Sequence, residues 1–259
     1  MNEHPKVLIA IPAYRCEKQI TRVLDEIDDR LASRVAEIAV IDNGSPDGTI
    51  DAALAYKKTG RLKNLHVYKN VDNYNLGGTH KVAFLRAESL GLTHVVIIHG
   101  DNQAKSDEAN ILLDKIENDP HNQTVLGSRF SKGSTLIGYD QKRILGNKFL
   151  NAIYSLVTFK KCEDLGSGLN VFALRDLDQS TYLEFADKLT FNFELLLDLI
   201  KRKVNFAYIP ITWREEDQVS NARNFNIFKT ALLNLAVWRF GKKHTKKHTP
   251  QDYQCKEQF

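Results

Sequence analysis

The sequence predicts an α/β domain with a mostly parallel central sheet flanked by helices, and three observations predict it. Short apolar runs without polar alternation recur, as in KVLIAI (6–11), EIAVI (37–41) and HVVII (94–98), the pattern of strands covered on both faces. Between them, apolar residues return at helical spacing, so strand and helix alternate as in βαβ units. Finally, the apolar runs stop abruptly in polar residues. In HVVIIHGDNQAKSD (94–107), four apolar residues run straight into His99, Gly100, Asp101, Asn102 and Gln103. A core strand would avoid that carboxylate and a surface loop would not need that strand, but ligands of a parallel sheet bind at the carboxyl ends of its strands.

The elements follow in order. After the first strand, Ile20, Val23, Leu24, Ile27 and Leu31 mark one helix. The second strand ends at Asp42, and SPDGT is a turn with Asp47 as a helix N-cap candidate before Ile50, Ala53 and Leu54. LHVYK is a third strand, followed by a helix with Val82, Leu85 and Ser89 on one side. HVVII is the fourth, then a helix with Ile111, Leu112 and Ile116, then TVLGS as the fifth. Beyond residue 130 the rhythm loosens. A long helix carries Ile144, Leu145, Phe149, Ile153, Leu156 and Val157; DLGSGLNVFAL is a glycine-hinged loop entering a strand; FNFELLLDLIKRK is a helix and NFAYIPITW a strand. The last piece is an apolar-rich helix ending in a basic tail, which divides the chain into an α/β domain over 1–222 and a C-terminal amphipathic helix and tail over 223–259.

Composition bounds the function class. A chain of 259 residues with 42% apolar and 26% charged residues is ordinary for one globular domain with an appendage. Three widely spaced cysteines, Cys16, Cys162 and Cys255, make neither a disulfide framework nor a structural zinc site, and a reducing, cytoplasmic setting is expected. The apolar start is too short for a signal peptide, and no stretch reaches the ~18 consecutive apolar residues of a membrane span. The net charge of +4 is uneven: residues 201–248 hold eleven Lys/Arg against three Asp/Glu, while the rest is net acidic. A basic end on an acidic body suggests an anionic surface as partner. No motif that reads RNA or DNA accompanies it, so no nucleic acid is expected.

Asp42, Asp101 and Gln103 present oxygens at one sheet edge, a set that suits a hard divalent cation, Mg²⁺ or Mn²⁺. The plainer reading of Asp101 is a turn or helix-start residue. IPAYRCEKQI contains no glycine, so neither a dinucleotide fingerprint nor a P-loop follows the first strand.

Eight pieces in order carry a resemblance: VLIAIPAYRCEKQI, VIDNGSPDGT, NYNLGGTHKVAFLRAESLG, VVIIHGDNQAK, LGSRF, KRILGNKFLN, DLGSGLNVFALR and IPITWREEDQVSNARNF. Over roughly residues 6 to 225 the chain resembles the family 2 glycosyltransferases of GT-A fold, in the branch of dolichyl-phosphate mannose synthase and the bacterial polyprenyl-phosphate sugar transferases. The resemblance implies that Pro12, Tyr14 and Glu17 sit beside a nucleotide base and that Asp42 holds base or ribose. It implies that Asp101 and Gln103 bind the metal bridging a donor diphosphate. Arg129 and Arg143 would receive donor diphosphate and acceptor phosphate, with Asn147 one turn beyond Arg143, and Arg214 would close over the site. A guanidinium suits phosphate oxygens; the alternative for each arginine is a solvated surface charge.

His99 stands where the family has its first acid. A neutral imidazole can ligate Mn²⁺ or hydrogen-bond the ribose or diphosphate; it can also be a satisfied structural histidine. The implied reaction is inverting transfer from a UDP- or GDP-sugar. A polyprenyl phosphate acceptor is already anionic, whereas a hydroxyl of a saccharide or glycolipid requires a base, for which Asp164 is the candidate unless it only caps its loop. A third reading is a catalytically silent sugar-nucleotide binder. The apolar C-terminal segment (Phe225, Phe228, Leu232, Leu235, Ala236, Trp238) with its lysines suits either a peripheral position on the inner face of a membrane or a core helix with a solvated tail.

Overall fold

The computed structural model describes residues 4–121, 123–217, 224–241 and 248–259, with the side chains of 224–226 left out. Phe225's side chain and Lys242, Lys243, Lys246 and Lys247, which carry part of the expected lipid-facing segment, therefore lie outside the described residues.

The first half is a βαβ succession: β1 (Val7–Ala13), α1 (Ile20–Asp25), α2 (Asp29–Ser33), β2 (Glu37–Asp42), α3 (Thr49–Lys58), β3 (Leu65–Asn70), α4 (Asn75–Ser89), β4 (His94–Ile98), α5 (Ala109–Asn118) and β5 (Thr124–Ser128). Then come β6 (Thr135–Ile137), α6 (Gln141–Thr158), β7 (Leu169–Ala173), α7 (Gln179–Tyr182), α8 (Phe191–Lys201), β8 (Phe206–Pro210), β9 (Thr212–Arg214), α9 (Asn224–Phe240) and β10 (Cys255–Gln258). The main sheet has the order β10-β3-β2-β1-β4-β7-β5-β8, and β6 pairs with β9 in a small second sheet. Within the main sheet β7 and β10 run antiparallel to their neighbours and the other pairings are parallel.

The unbroken apolar runs are explained by two cores. Along β1, Leu8 and Ala10 enter one cluster with α4 and α8, while Val7, Ile9 and Ile11 enter another with α1 and α5. β4 divides likewise, Val95 and Ile97 to one side, Val96 and Ile98 to the other. With both faces occupied, polar chemistry is confined to the strand ends.

Four differences from the sequence reading have local causes. The helix expected over Ile20 to Leu31 is two, because Asp28 caps a new start, its Oδ1 accepting from Leu31 N at 2.7 Å. The cap position of α3 is Gly48, one residue after Asp47, whose Oδ1 accepts from the Thr49 hydroxyl at 2.6 Å and from Thr49 N at 3.3 Å. NFAYIPITW splits into β8 and β9 at Pro210–Ile211, where Ile211 N turns to Ser128 O. The C-terminal end returns to the sheet: β10 covers the β3 edge, bringing in Tyr253, which is 6% exposed.

α9 packs on α6 and α8, with Ala231 and Leu235 buried and Trp238 Nε1 donating to Leu197 O at 2.9 Å. Leu233 and Phe240 are exposed on it, so its apolar groups are spread around the axis. A buried lysine ties this half together. Lys81 of α4 is fully enclosed, and its Nζ lies 3.0 Å from Leu183 O, 2.7 Å from Phe185 O, 2.7 Å from Asp187 Oδ1 and 2.9 Å from the Tyr253 hydroxyl. Four oxygens around three protons satisfy a charge that burial would otherwise penalise.

Truncating Ile97 to Ala, in the middle of β4, should lower unfolding stability by about 2–5 kcal/mol. Ile111→Ala, on the exposed side of α5, should change it by under about 0.5 kcal/mol. Urea denaturation of the two variants checks this.

Candidate active site

The carboxyl ends of β1, β2 and β4 are brought level by their pairing. Pro12 and Ala13 stand opposite Ile41 and Asp42, and Gly100 N donates to Pro12 O at 2.9 Å. Gly100 has to be small: an added Cβ would lie 3.0 Å from Pro12 O and 3.2 Å from Cys16 Sγ. The three ends open into a cleft of about 610 Å³ lined by Pro12, Tyr14, Arg15, Asn43, His99 and Asp101, together with Asn73, Asn75, Thr79, Lys188, Thr190, Ile227 and Thr230.

Of the residues expected from sequence, Pro12, Tyr14, His99 and Asp101 line this cleft. Asp101 Oδ1 accepts from Gln103 N at 3.2 Å. Burial pushes its carboxyl up, opposed by His99 and by backbone hydrogen bonds. His99 is held by its own amide on Gly168 O (3.0 Å) and packs so closely that a Cβ on Gly168 would lie 2.8 Å from its ring. Its Nε2 is buried without a hydrogen-bond partner. Burial pushes its pKa down, which favours the neutral imidazole; Asp101 opposes this and Arg129 adds to it. Behind it stands His80 of α4, 1% exposed, with ring centroids 5.6 Å apart. Burial holds His80 well below the usual histidine range.

Asp42 and Glu17 are not among the residues lining the cleft; each holds a neighbouring loop. The Asp42 carboxylate is fully buried and accepts from Gly44 N and Ser45 N at 3.1 Å. Glu17 accepts from Gly48 N at 3.3 Å. Gln103 does not line the cleft; its backbone oxygen accepts from Arg214 N at 2.8 Å.

The arginines form a second cluster. Arg129, at the end of β5, grips Asp164 through Nε (2.7 Å), Nη2 (2.7 Å) and its own amide (2.9 Å). Burial works against its charge, but Asp164 wins and the guanidinium is pushed up. Its Cζ also lies 4.9 Å from the centre of the Trp213 ring. Arg143 of α6 is paired with Glu215 at 2.5 and 2.6 Å and lies over Tyr139, whose hydroxyl meets Asn147 Nδ2 at 3.2 Å. Arg214 is not among the residues lining the cleft; its Nη2 meets Glu26 at 2.8 Å and Asn102 Oδ1 at 3.2 Å. Asp164, the candidate base, is buried with both oxygens on Arg129 and Oδ1 also accepting from Gly166 N at 3.1 Å.

The sequence reading missed an amide network. Asn70 Nδ2 donates to Asn43 Oδ1 (3.0 Å) and to Thr79 (3.1 Å), and Asn43 Nδ2 donates to Asn73 Oδ1 (2.9 Å). The signal was the cluster Asp72, Asn73, Asn75 directly after β3. Left-handed backbone at Arg15, Asn75 and Asn102 (φ 54°, 57° and 58°) also gathers around these strand ends, as strained positions do near sites. Among the described residues no group of three or more His, Cys, Asp or Glu is preassembled for a metal.

The sequence profile described as "Glycosyl transferase family 2" matches residues 8–178. The chain belongs to glycosyl transferase family 2. As a family 2 glycosyltransferase it is similar to the polyprenol monophosphomannose synthase of Mycolicibacterium smegmatis, 25% identical over 240 residues that cover 90% of this chain and 86% of that one. It is 20% identical to the undecaprenyl-phosphate mannosyltransferase of Micrococcus luteus, covering 90% and 93%. Among family 2 enzymes, the chain is thus similar to polyprenyl-phosphate sugar transferases. A structure of glucosyl-3-phosphoglycerate synthase from Mycobacterium tuberculosis, in complex with Mn²⁺, UDP-glucose and phosphoglyceric acid, superposes with a TM-score of 0.68 at 15% identity, over 92% of this chain and 81% of that one. That likeness carries the GT-A fold.

Arg129→Ala should cost about 3–5 kcal/mol, because it leaves the Asp164 charge buried and unpaired. Arg143→Ala, whose partner Glu215 is partly solvated, should cost about 1 kcal/mol or less. Chemical denaturation of both variants checks the difference.

Proposed function

We propose that this family 2 enzyme transfers a sugar, with inversion, from a UDP- or GDP-sugar to a polyprenyl phosphate, using Mn²⁺ or Mg²⁺, at the cytoplasmic face of a membrane. One observation carries the acceptor: Asp164 is held on Arg129. A sugar hydroxyl must lose its proton to attack, and among the described residues lining the cleft Asp101 is the single carboxylate. With Asp101 at the metal, no second cleft carboxylate is left to take that proton. A phosphate monoester is an anion at neutral pH and needs none.

The residues present fit a divalent cation. Asp101 faces the cleft, and the orphaned buried Nε2 of His99 offers an acceptor lone pair two residues away. Asp101 and His99 would hold the ion, with Gln103 beside them; such ions commonly take few protein ligands and complete their shell from phosphate oxygens and water. The ion would supply neutralisation of the charge on the departing nucleoside diphosphate. The chain's own groups do the rest. Tyr14 and Pro12 give the base an apolar wall, Asn43 and Asn73 fix the floor through their amides, and His80 behind His99 keeps that side of the cleft dry.

The surface of α6 supports a lipid-borne acceptor. Leu145, Phe149 and Leu156 are 71%, 59% and 74% exposed, and their spacing puts them on one stripe; Phe159, 90% exposed, follows the helix as its left-handed C-cap. Lys142, Lys148, Lys160 and Lys161 flank it, and Phe149 stacks on Phe228 of α9 with centroids 6.4 Å apart. An apolar stripe edged with lysines suits an anionic membrane surface. No helix among the described residues is long and apolar enough to cross a membrane.

Incubation with radiolabelled UDP- and GDP-sugars, Mn²⁺ and undecaprenyl phosphate in anionic vesicles should give label that extracts into organic solvent, and EDTA should stop it. Asp164→Asn should slow this transfer without abolishing it, because the nucleophile needs no base. Label appearing only in water-soluble glycan, or complete loss in a folded Asp164→Asn variant, contradicts the acceptor.

A further inference from the structure

A cation that no carboxylate holds is free to meet phosphate oxygens. Arg129, Arg143 and Arg214 each lie on a carboxylate: Asp164, Glu215 and Glu26. Among the described residues that line the cleft, the side chains positively charged at neutral pH are Arg15 and Lys188. Arg15 sits over Tyr14, 5.3 Å from the ring centre, where it extends the base wall. Lys188 has no side-chain hydrogen bond or ion pair among the described residues, and it is exposed.

Its backbone, by contrast, is pinned on both flanks. Asp187 O accepts from Gly77 N at 2.7 Å and from Gly78 N at 3.3 Å, and Asp187 Oδ1 accepts from Lys81 Nζ at 2.7 Å and from the Tyr253 hydroxyl at 2.8 Å. Lys188 O accepts from Phe191 N, the first residue of α8, at 3.0 Å. The approach to α4 is close enough to require glycine, since a Cβ on Gly77 would lie 2.6 Å from Phe191 Cβ and 2.7 Å from Ala186 O. A fixed backbone carrying a loose four-carbon stem with a point charge is a common way for a lysine to serve phosphate.

The geometry points to Lys188 as a further phosphate-binding residue of this cleft, with Lys81, Asp187 and Tyr253 as the positioning residues that hold it in the wall. This rests on reading the cleft as a nucleotide-sugar site. The ligand is a phosphate oxygen, belonging to the donor's diphosphate or to the acceptor's monoester. The C-terminal segment acquires a task through it, since Tyr253, just before β10 on the β3 edge, reaches Asp187 beside Lys188.

The test uses the full chain. Calorimetry with Mn²⁺ measures binding of UDP and GDP, and vesicle assays measure KM for undecaprenyl phosphate, for wild type, Lys188→Ala, Lys188→Arg and Tyr253→Phe. Lys188→Ala should weaken one of the two by about tenfold, with an unchanged melting midpoint. Lys188→Arg should restore most of it. Tyr253→Phe should raise the same constant with little change in kcat. An effect on nucleotide binding assigns Lys188 to the donor diphosphate; an effect confined to the lipid-phosphate KM assigns it to the acceptor. Wild-type values in both arms for Lys188→Ala overturn the inference while leaving the proposed function standing. A wild-type protein that binds neither UDP nor GDP brings down both.

Discussion

The arrangement depends on three strands ending together. β1 lies between β2 and β4 in parallel register, and the backbone contacts Gly100 N to Pro12 O and His99 N to Gly168 O carry β4 past its last apolar residue into its neighbours' loops. Because both faces of the sheet are filled, a carboxylate and an imidazole can enter only at that edge. Burial on two sides thus decides where the chemistry sits, and the register decides which residues meet there. Asp101, Asn43 and Tyr14 come from chain segments about 30 to 90 residues apart, yet line one cleft.

Charge is distributed with the same economy. The strongest cations near the site are locked onto buried or half-buried carboxylates, and the guanidinium–carboxylate fork of Arg129 and Asp164 is the clearest case. Such a pair holds the loop before β7, whose Gly168 in turn packs against His99. The pair therefore acts on the cleft through position and through the field of Arg129 felt at His99. The uncompensated charge at the cleft lies on short loops held from behind by buried polar contacts, of which the Lys81 cluster is the most enclosed.

Much of this was legible in the sequence where one local rule decided the outcome. KVLIAI, EIAVI and HVVII could only be two-faced strands, and HGDNQ after a strand marked the cleft floor. What escaped depended on partners distant in sequence. Nothing local in Asp164 says that Arg129, 35 residues earlier, occupies both its oxygens. Arg214 likewise meets Glu26 across 188 residues. β10 has a polar sequence, CKEQ, with no apolar alternation to announce it, and it is a strand because the β3 edge offers unpaired backbone groups. The family resemblance, read from eight ordered motifs, reached the fold and the enzyme class; the pairing of the arginines needed coordinates.

The central claim is that Asp101 couples a divalent cation to a nucleoside diphosphate in the cleft at the ends of β1, β2 and β4. The most direct measurement is calorimetric titration of wild type and Asp101→Ala with UDP- and GDP-sugars, each with and without Mn²⁺. The account predicts that one of the two donors binds wild type more tightly when Mn²⁺ is present, and that Asp101→Ala loses this metal-dependent gain while its melting behaviour is retained. An undiminished metal-dependent gain in Asp101→Ala would contradict it.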